Sequence, residues 1–247
     1  MQPPAKIKKV FLVILDISGY TKFIKAHKIS LIHAERIIDE LIESVIDASE
    51  FPLVLHELEG DAVTFYALSD GSPEMAHNVC SQALHCVATF RKREREMVGE
   101  CKLCACDACT TVGRLKLKAV LHHGEAVFTQ VRQFTKLSGE DMILVHRLLK
   151  NSIARKEYIL LTESLHGLGA DPGGWTLESR SEDCEGLGRV NVKVYYPPAE
   201  DGQIEPVKVS LAAKLKMFAK TEWDVIKRLV IPSTKRYPNL ESAQQAD

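Results

Sequence analysis

Two aspartates stand out among the 247 residues. Asp16 closes the apolar run Phe11-Leu-Val-Ile-Leu15, and a tight Ser18-Gly19 turn follows it. A short apolar run bounded by a turn signal reads as a buried strand. A carboxylate at the end of such a strand is costly unless it is paired or holds a metal. The turn beyond it can offer backbone N–H groups to an anion. Asp61 follows Gly60 in a hairpin between strand-like residues 53–58 and 62–68. Two aspartates at the ends of neighbouring strands can hold divalent cations over a triphosphate. The plainer reading is one helix-capping aspartate and one turn aspartate.

A second cluster is Cys101-x-x-Cys104-x-Cys106-x-x-Cys109, four thiols in a short insert. Thiolates favour zinc over hard cations. Either all four cysteines serve one structural zinc, or three recruit a histidine such as His122 or His123, or the thiols stay reduced or form a redox pair. Cys80 and Cys86 fall on a helix's apolar stripe and read as core residues.

The elements that must position these groups follow from hydrophobic period. Residues 10–15 form the first strand, and residues 21–26 start a helix. Ser30 caps a longer helix whose Ile37, Ile38, Leu41, Ile42, Val45 and Ile46 make one stripe. The hairpin around Asp61 comes next. Ser72-Pro73-Glu74 opens a third helix, with Val79, Ala83, Leu84, Val87 and Phe90 facing inward. Its charged end, residues 91–96, reads as solvated. Residues 115–121 alternate as a strand that His122-His123-Gly124 ends near the expected metal centre, and 125–129 pair back as another. Residues 141–151 form a helix, and 158–161 and 190–196 further strands. The order β-α-α-β-β-α-β-β-α-β-β describes an α+β sandwich with helices over a mainly antiparallel sheet.

Composition narrows the function. Net charge is -1 and the pI about 6.8, so no polyanion-binding surface and no nucleic-acid partner is indicated. Hydrophobic residues make up 45%, enough for a sizeable core. No apolar stretch is long enough to span a bilayer and no secretory signal is evident, so the expected location is cytoplasmic. Pro197-Pro198 marks a boundary. Beyond it, residues 199–247 comprise a linker, an amphipathic helix at about 210–230 and a tail. Lys214, Lys216, Lys220, Lys227 and Arg228 make that helix basic on one side, so it packs on a protein partner or its own domain, or lies on a membrane surface.

Over residues 8–198, with the cysteine insert at 99–113, the chain resembles the catalytic domain of class III nucleotidyl cyclases, a ferredoxin-like sandwich. Four motifs carry the resemblance, in order. They are Leu15-Asp16-Ile17-Ser18-Gly19-Tyr20-Thr21; Gly60-Asp61-Ala62; Val120-Leu121-His122-His123-Gly124; and the helix Gly139-Glu-Asp-Met142-Ile143-Leu-Val145-His-Arg147-Leu148. The resemblance implies that Asp16, Asp61 and the Ile17 carbonyl bind Mg²⁺ or Mn²⁺. Ile17, Ser18, Gly19, Tyr20 and Thr21 would cradle the phosphates of a purine nucleoside triphosphate. Arg147 would meet charge developing in the transition state, across a homodimer interface. Glu57 and Lys136 fall at the base-selecting positions, where their pairing matches neither the adenylyl nor the guanylyl pattern. The asparagine that orients the ribose falls at Ile143, which cannot donate a hydrogen bond. The functional expectation is a cyclase forming cyclic nucleotide and pyrophosphate; the alternative is a degenerate nucleotide-binding or protein-interaction module. The chain also resembles an uncharacterised cyclase-like set with a Cys-x-Cys-x-x-Cys insert and a Gly-x-Asp-x-Ile-x-x-His-Arg-Leu-Leu-Lys-Asn helix, here Cys104-Ala-Cys106-Asp-Ala-Cys109 and residues 139–151.

Overall fold

A computed structural model describes residues 5–26, 31–101, 108 and 111–198 of the chain. Ser30, Cys104, Cys106, Cys109 and the C-terminal amphipathic helix lie outside the described residues. Cys101 is the last residue of a helix.

Strand β1 (Lys6–Ser18) is the axis. Its central residues, Val10 through Leu15, are fully buried, because the strand is covered on both faces and so needs no polar alternation. Helices α1 (Tyr20–Ala26) and α2 (Leu31–Ala48) follow. Then come the hairpin β2 (Val54–Glu59) and β3 (Ala62–Leu68), and the long α3 (Pro73–Cys101). A 3₁₀ turn (Val112–Arg114) leads into β4 (Lys116–Val131), which pairs with β5 (Phe134–Ser138). Helix α4 (Glu140–Leu148), β6 (Tyr158–Thr162), the single-turn α5 (Glu163–His166), β7 (Thr176–Cys184) and β8 (Gly188–Tyr196) complete the order. The sheet runs β2-β3-β1-β4-β6-β8-β7, with β5 on β4, and every pairing is antiparallel except β4 with β6.

Strand period decides which helix each β1 side chain meets. Phe11, Val13, Leu15 and Ile17 pack with the α2 stripe and with Val79, Ala83, Val87 and Phe90 of α3. Burying each such side chain contributes about 1.5–3 kcal/mol. Val10, Leu12 and Ile14 point the other way, onto Met142, Val145 and Leu148 of α4. Asp16 shares their parity and so belongs to the α4 face. Cys80 and Cys86 are fully buried, and burial pushes both thiols up to about 12, as core cysteines should be.

Three expectations are corrected. First, β4 does not end at the two histidines; it runs through Gly124 to Val131. A Cβ at 124 would fall on the Asp141 carboxylate, so the glycine serves a close approach inside a strand rather than a turn. The antiparallel register pairs Leu12 with His122 but Asp16 with Lys118. His122 therefore sits four residues, about 13 Å along the sheet, from Asp16 and not beside it. Secondly, α3 continues to Cys101, and its charged stretch is only partly solvated. Arg91 meets Glu157 at 2.5 Å, and Glu94, 2% exposed, accepts from Lys116 at 3.1 Å. Thirdly, β7 is an additional strand. Among the described residues, no helix is long and apolar enough to cross a membrane.

Candidate active site

The β1–β3 register sets Asp16 opposite Ala62, the residue after Asp61. The Ile17 N–H donates to the Asp61 carbonyl at 3.2 Å, which ties the two motifs together. Both aspartates line a cleft of about 380 Å³ with Ile17, Ser18, Gly19, Tyr20, Thr21, Lys22, Lys118 and Lys156. Gly19 adopts φ +99°, a conformation L side chains rarely take, and the Phe23 N–H then donates to its carbonyl to begin α1. The five turn residues named from the sequence are thus gathered around the two carboxylates.

The electrostatics of the pair are unequal. Asp16 is held by the Lys118 ammonium at 2.9 Å, and the same lysine donates to the Leu149 carbonyl at 3.0 Å. Asp61 is pushed up to about 7, first by burial and then by the Asp16 charge beside it. A carboxylate pressed in this way by burial and by a neighbouring negative charge suits a hard, oxygen-seeking cation. Among the described residues, no group of three or more His, Cys, Asp or Glu side chains could hold a metal. Two carboxylates and a backbone carbonyl could hold an ion that takes its remaining ligands from phosphate and water.

A second, wider cleft of about 1150 Å³ shares Asp16 and Lys118 with the first. Its other walls include Glu57 and Glu59 of β2 and the α4 residues Ile143, His146 and Arg147, with Lys150 just beyond. A bulge between Leu55 and Glu57 resets the β2 register, so that Glu57 pairs with Thr64. Arg147 is engaged by Glu185 from the β7–β8 turn. Helix α4 is fixed at its start: Asp141 accepts the Glu125 N–H at 2.6 Å and lies 3.0 Å from His122 Nε2. On its other nitrogen, His122 faces Thr162 Oγ1 at 2.9 Å. Burial pulls the His122 pKa down, against the pull of Asp141. The histidine is thus a buried strut between β4, α4 and β6.

Asp16, Glu57 and Arg147 are brought to one cleft, and Asp61 with residues 17–21 to its neighbour. Lys136 is not: it is exposed on β5 and lines neither cleft. Lys118 was missed from the sequence. Its signal was the alternation Leu115-Lys-Leu-Lys118, which puts a cation on an otherwise apolar strand, but its meaning needs the β1–β4 register.

The fold recurs in solved cyclase structures. The adenylyl cyclase CyaB from P. aeruginosa matches with a TM-score of 0.59 at 14% identity, over 81% of this chain and 100% of that chain. The guanylyl cyclase Cya2 matches with 0.58 at 14%, over 85% and 100%. A class III adenylyl cyclase-like ATP-binding protein from Pseudomonas aeruginosa matches with 0.53 at 14%, over 66% of this chain and 35% of that one. The architecture is accordingly the class III nucleotidyl cyclase fold. In sequence, residues 38–158 match the model of a protein of unknown function, DUF2652. The uncharacterized protein Rv2561/Rv2562 of Mycobacterium tuberculosis is 37% identical over 152 residues, 62% of this chain and 69% of that protein. The chain belongs to the family of this mycobacterial protein and carries that family's sequence on a class III cyclase fold.

Proposed function

We propose that the chain binds a purine nucleoside triphosphate between the small cleft of one copy and the wide cleft of a second, and cyclises it, in the cytoplasm and as a homodimer. The observation that carries this reading is the shared cleft of Asp16, Asp61 and the turn at residues 17–21. Asp16, Asp61 and the Ile17 carbonyl would hold Mg²⁺ or Mn²⁺, which when bound lowers the pKa of the ribose 3′-hydroxyl and offsets phosphate charge. The turn residues, with Lys22 and Lys156 on the same cleft wall, receive the phosphates. The ribose 3′-hydroxyl releases its proton to solvent and its oxygen bonds to the α-phosphorus as the bond from that phosphorus to the bridging oxygen breaks, and pyrophosphate leaves. Arg147, always charged and able to bridge two oxygens, stabilises the charge that builds there. In the dimer, Arg147 of one copy serves the aspartates of the other. Glu57 accepts hydrogen bonds from the base edge.

A second reading, a nucleotide-binding module without turnover, is favoured by two observations. Ile143 is 53% exposed where a hydrogen-bonding side chain would serve, and Asp16 already has a cation in Lys118. Product formation from ATP and from GTP, with Mn²⁺ and with Mg²⁺, separates the two. Cyclic nucleotide that vanishes in Asp16→Asn establishes the enzyme. Nucleotide binding without product establishes the module.

A further inference from the structure

Helix α4 offers the wide cleft one face, Ile143, His146 and Arg147, because residues three and four apart stack on a helix, and Lys150, just past its end, lines the same cleft. The four side chains have different chemistry. Ile143 can neither donate nor accept. Arg147 and Lys150 donate only, and Arg147 is engaged by Glu185. Glu57 and Glu59 of β2, which line the same cleft, accept only. His146 differs from all of them, since a neutral imidazole donates from one nitrogen and accepts at the other. It is half-buried, and among the described residues its ring has no protein hydrogen-bond partner.

A group that both donates and accepts matches a hydroxyl, which does the same. The cationic side chains match phosphate and the acidic ones a base edge. A nucleotide has these three parts in the order phosphate, sugar, base. The cleft presents donors at Arg147 and Lys150 and acceptors at Glu57; His146 and Ser138 among its lining side chains both donate and accept, and of the two His146 shares a helix with Arg147.

Resting on the nucleotide-binding reading above, we infer that His146 is the sugar-recognising residue of this chain, hydrogen-bonded to a ribose hydroxyl. Within the cleft it supplies the orienting contact that Ile143, one helical turn earlier, cannot make. It is a specificity residue: it tells ribonucleotides from deoxyribonucleotides.

The test is equilibrium binding of ATP and GTP, and of their 2′-deoxy and 3′-deoxy forms, to the full chain with Mn²⁺. The wild-type protein is expected to prefer the ribonucleotide over at least one deoxy form by about three- to ten-fold, the worth of one neutral hydrogen bond. His146→Ala is expected to bind the ribo and deoxy forms alike, with its affinity for the deoxy form unchanged. His146→Gln, whose amide also donates and accepts, should restore part of the preference, as should adding Ile143→Asn to His146→Ala. A His146→Ala protein that keeps the full ribose preference overturns the inference and leaves nucleotide binding intact. A His146→Ala protein that binds ribo and deoxy forms equally weakly also overturns it, since the side chain would then be structural. Wild-type protein that binds none of these nucleotides overturns the functional reading itself, and this inference with it.

Discussion

Replacing Asp61 by asparagine should make the metal-free protein more stable at neutral pH, although it removes a proposed metal ligand. The folded chain holds the Asp61 proton up to about pH 7, whereas the unfolded chain releases it near its ordinary value of 3.8. Between those limits the folded state binds more protons, so stability falls as pH rises. Below about pH 4 both states are protonated and the penalty is absent; above about pH 7 it is complete. Each pH unit corresponds to about 1.4 kcal/mol. The carboxyl is part-exposed, so solvent screening removes much of that, and about 1–2 kcal/mol remains. Asparagine is nearly isosteric and cannot ionise.

Urea unfolding of both proteins, in chelator and across about pH 4–8, measures the effect as a difference in midpoint at constant slope. The two proteins should coincide at the acid end and diverge upward, with the variant the more stable. Adding Mn²⁺ at about pH 8 should stabilise the wild-type protein alone, since a ligand that binds only the folded state shifts the equilibrium toward it. An Asp61→Asn protein that is less stable than wild type at about pH 8 in chelator would refute the argument. So would a difference independent of pH, because neither burial nor the Asp16 charge would then be holding the Asp61 proton in the fold.

Three other expectations follow from the same geometry. Neither Asp16→Asn nor Arg147→Ala should form product alone, but the two mixed and re-equilibrated should recover about a quarter of wild-type turnover, since half the dimers are mixed and each has one intact site; no recovery in a mixture shown to exchange subunits would place both residues in one chain's site. Gly124→Ala should cost about 1–3 kcal/mol by forcing Asp141 aside, and Asp141→Ser in that background should recover part of the loss, a non-additivity read by thermal or urea unfolding. Leu41→Ala, in the fully buried α2 stripe, should cost about 2–5 kcal/mol with no change in nucleotide affinity relative to the folded fraction.

What could be read from the sequence divides by range. The two aspartates were legible from local signals: Asp16 interrupts an apolar run just before the Ser18-Gly19 turn, and Asp61 follows Gly60 between two strand-like runs. The α2 stripe and the cap of α3 were legible for the same reason. Strand β7 was not, because it is the sheet's edge and six of its nine residues are exposed, which leaves no apolar period to detect. The glycine after the histidines reads as a terminator, and only the arrival of Asp141 from a helix sixteen residues further on turns it into a strand residue. Residues 91–96 read as solvent-facing because Glu157 and Lys116, their partners, are distant in sequence. The misread positions thus depend on a register or on a partner from another element.

The same distinction bears on how the two clefts work together. Asp16 and Lys118 belong to both, and they meet because β1 and β4 are antiparallel in one particular register. A single-residue slip would turn Lys118 to the α2–α3 face and leave Asp16 without a cation. The continuous apolar contacts of β1 on both faces forbid that slip, since it would exchange two sets of buried side chains. The core therefore fixes the charge pattern of the site. Because Lys118 also holds the carbonyl at the end of α4, a cation arriving at Asp16 would compete for that carboxylate with the same ammonium that anchors the helix bearing His146 and Arg147.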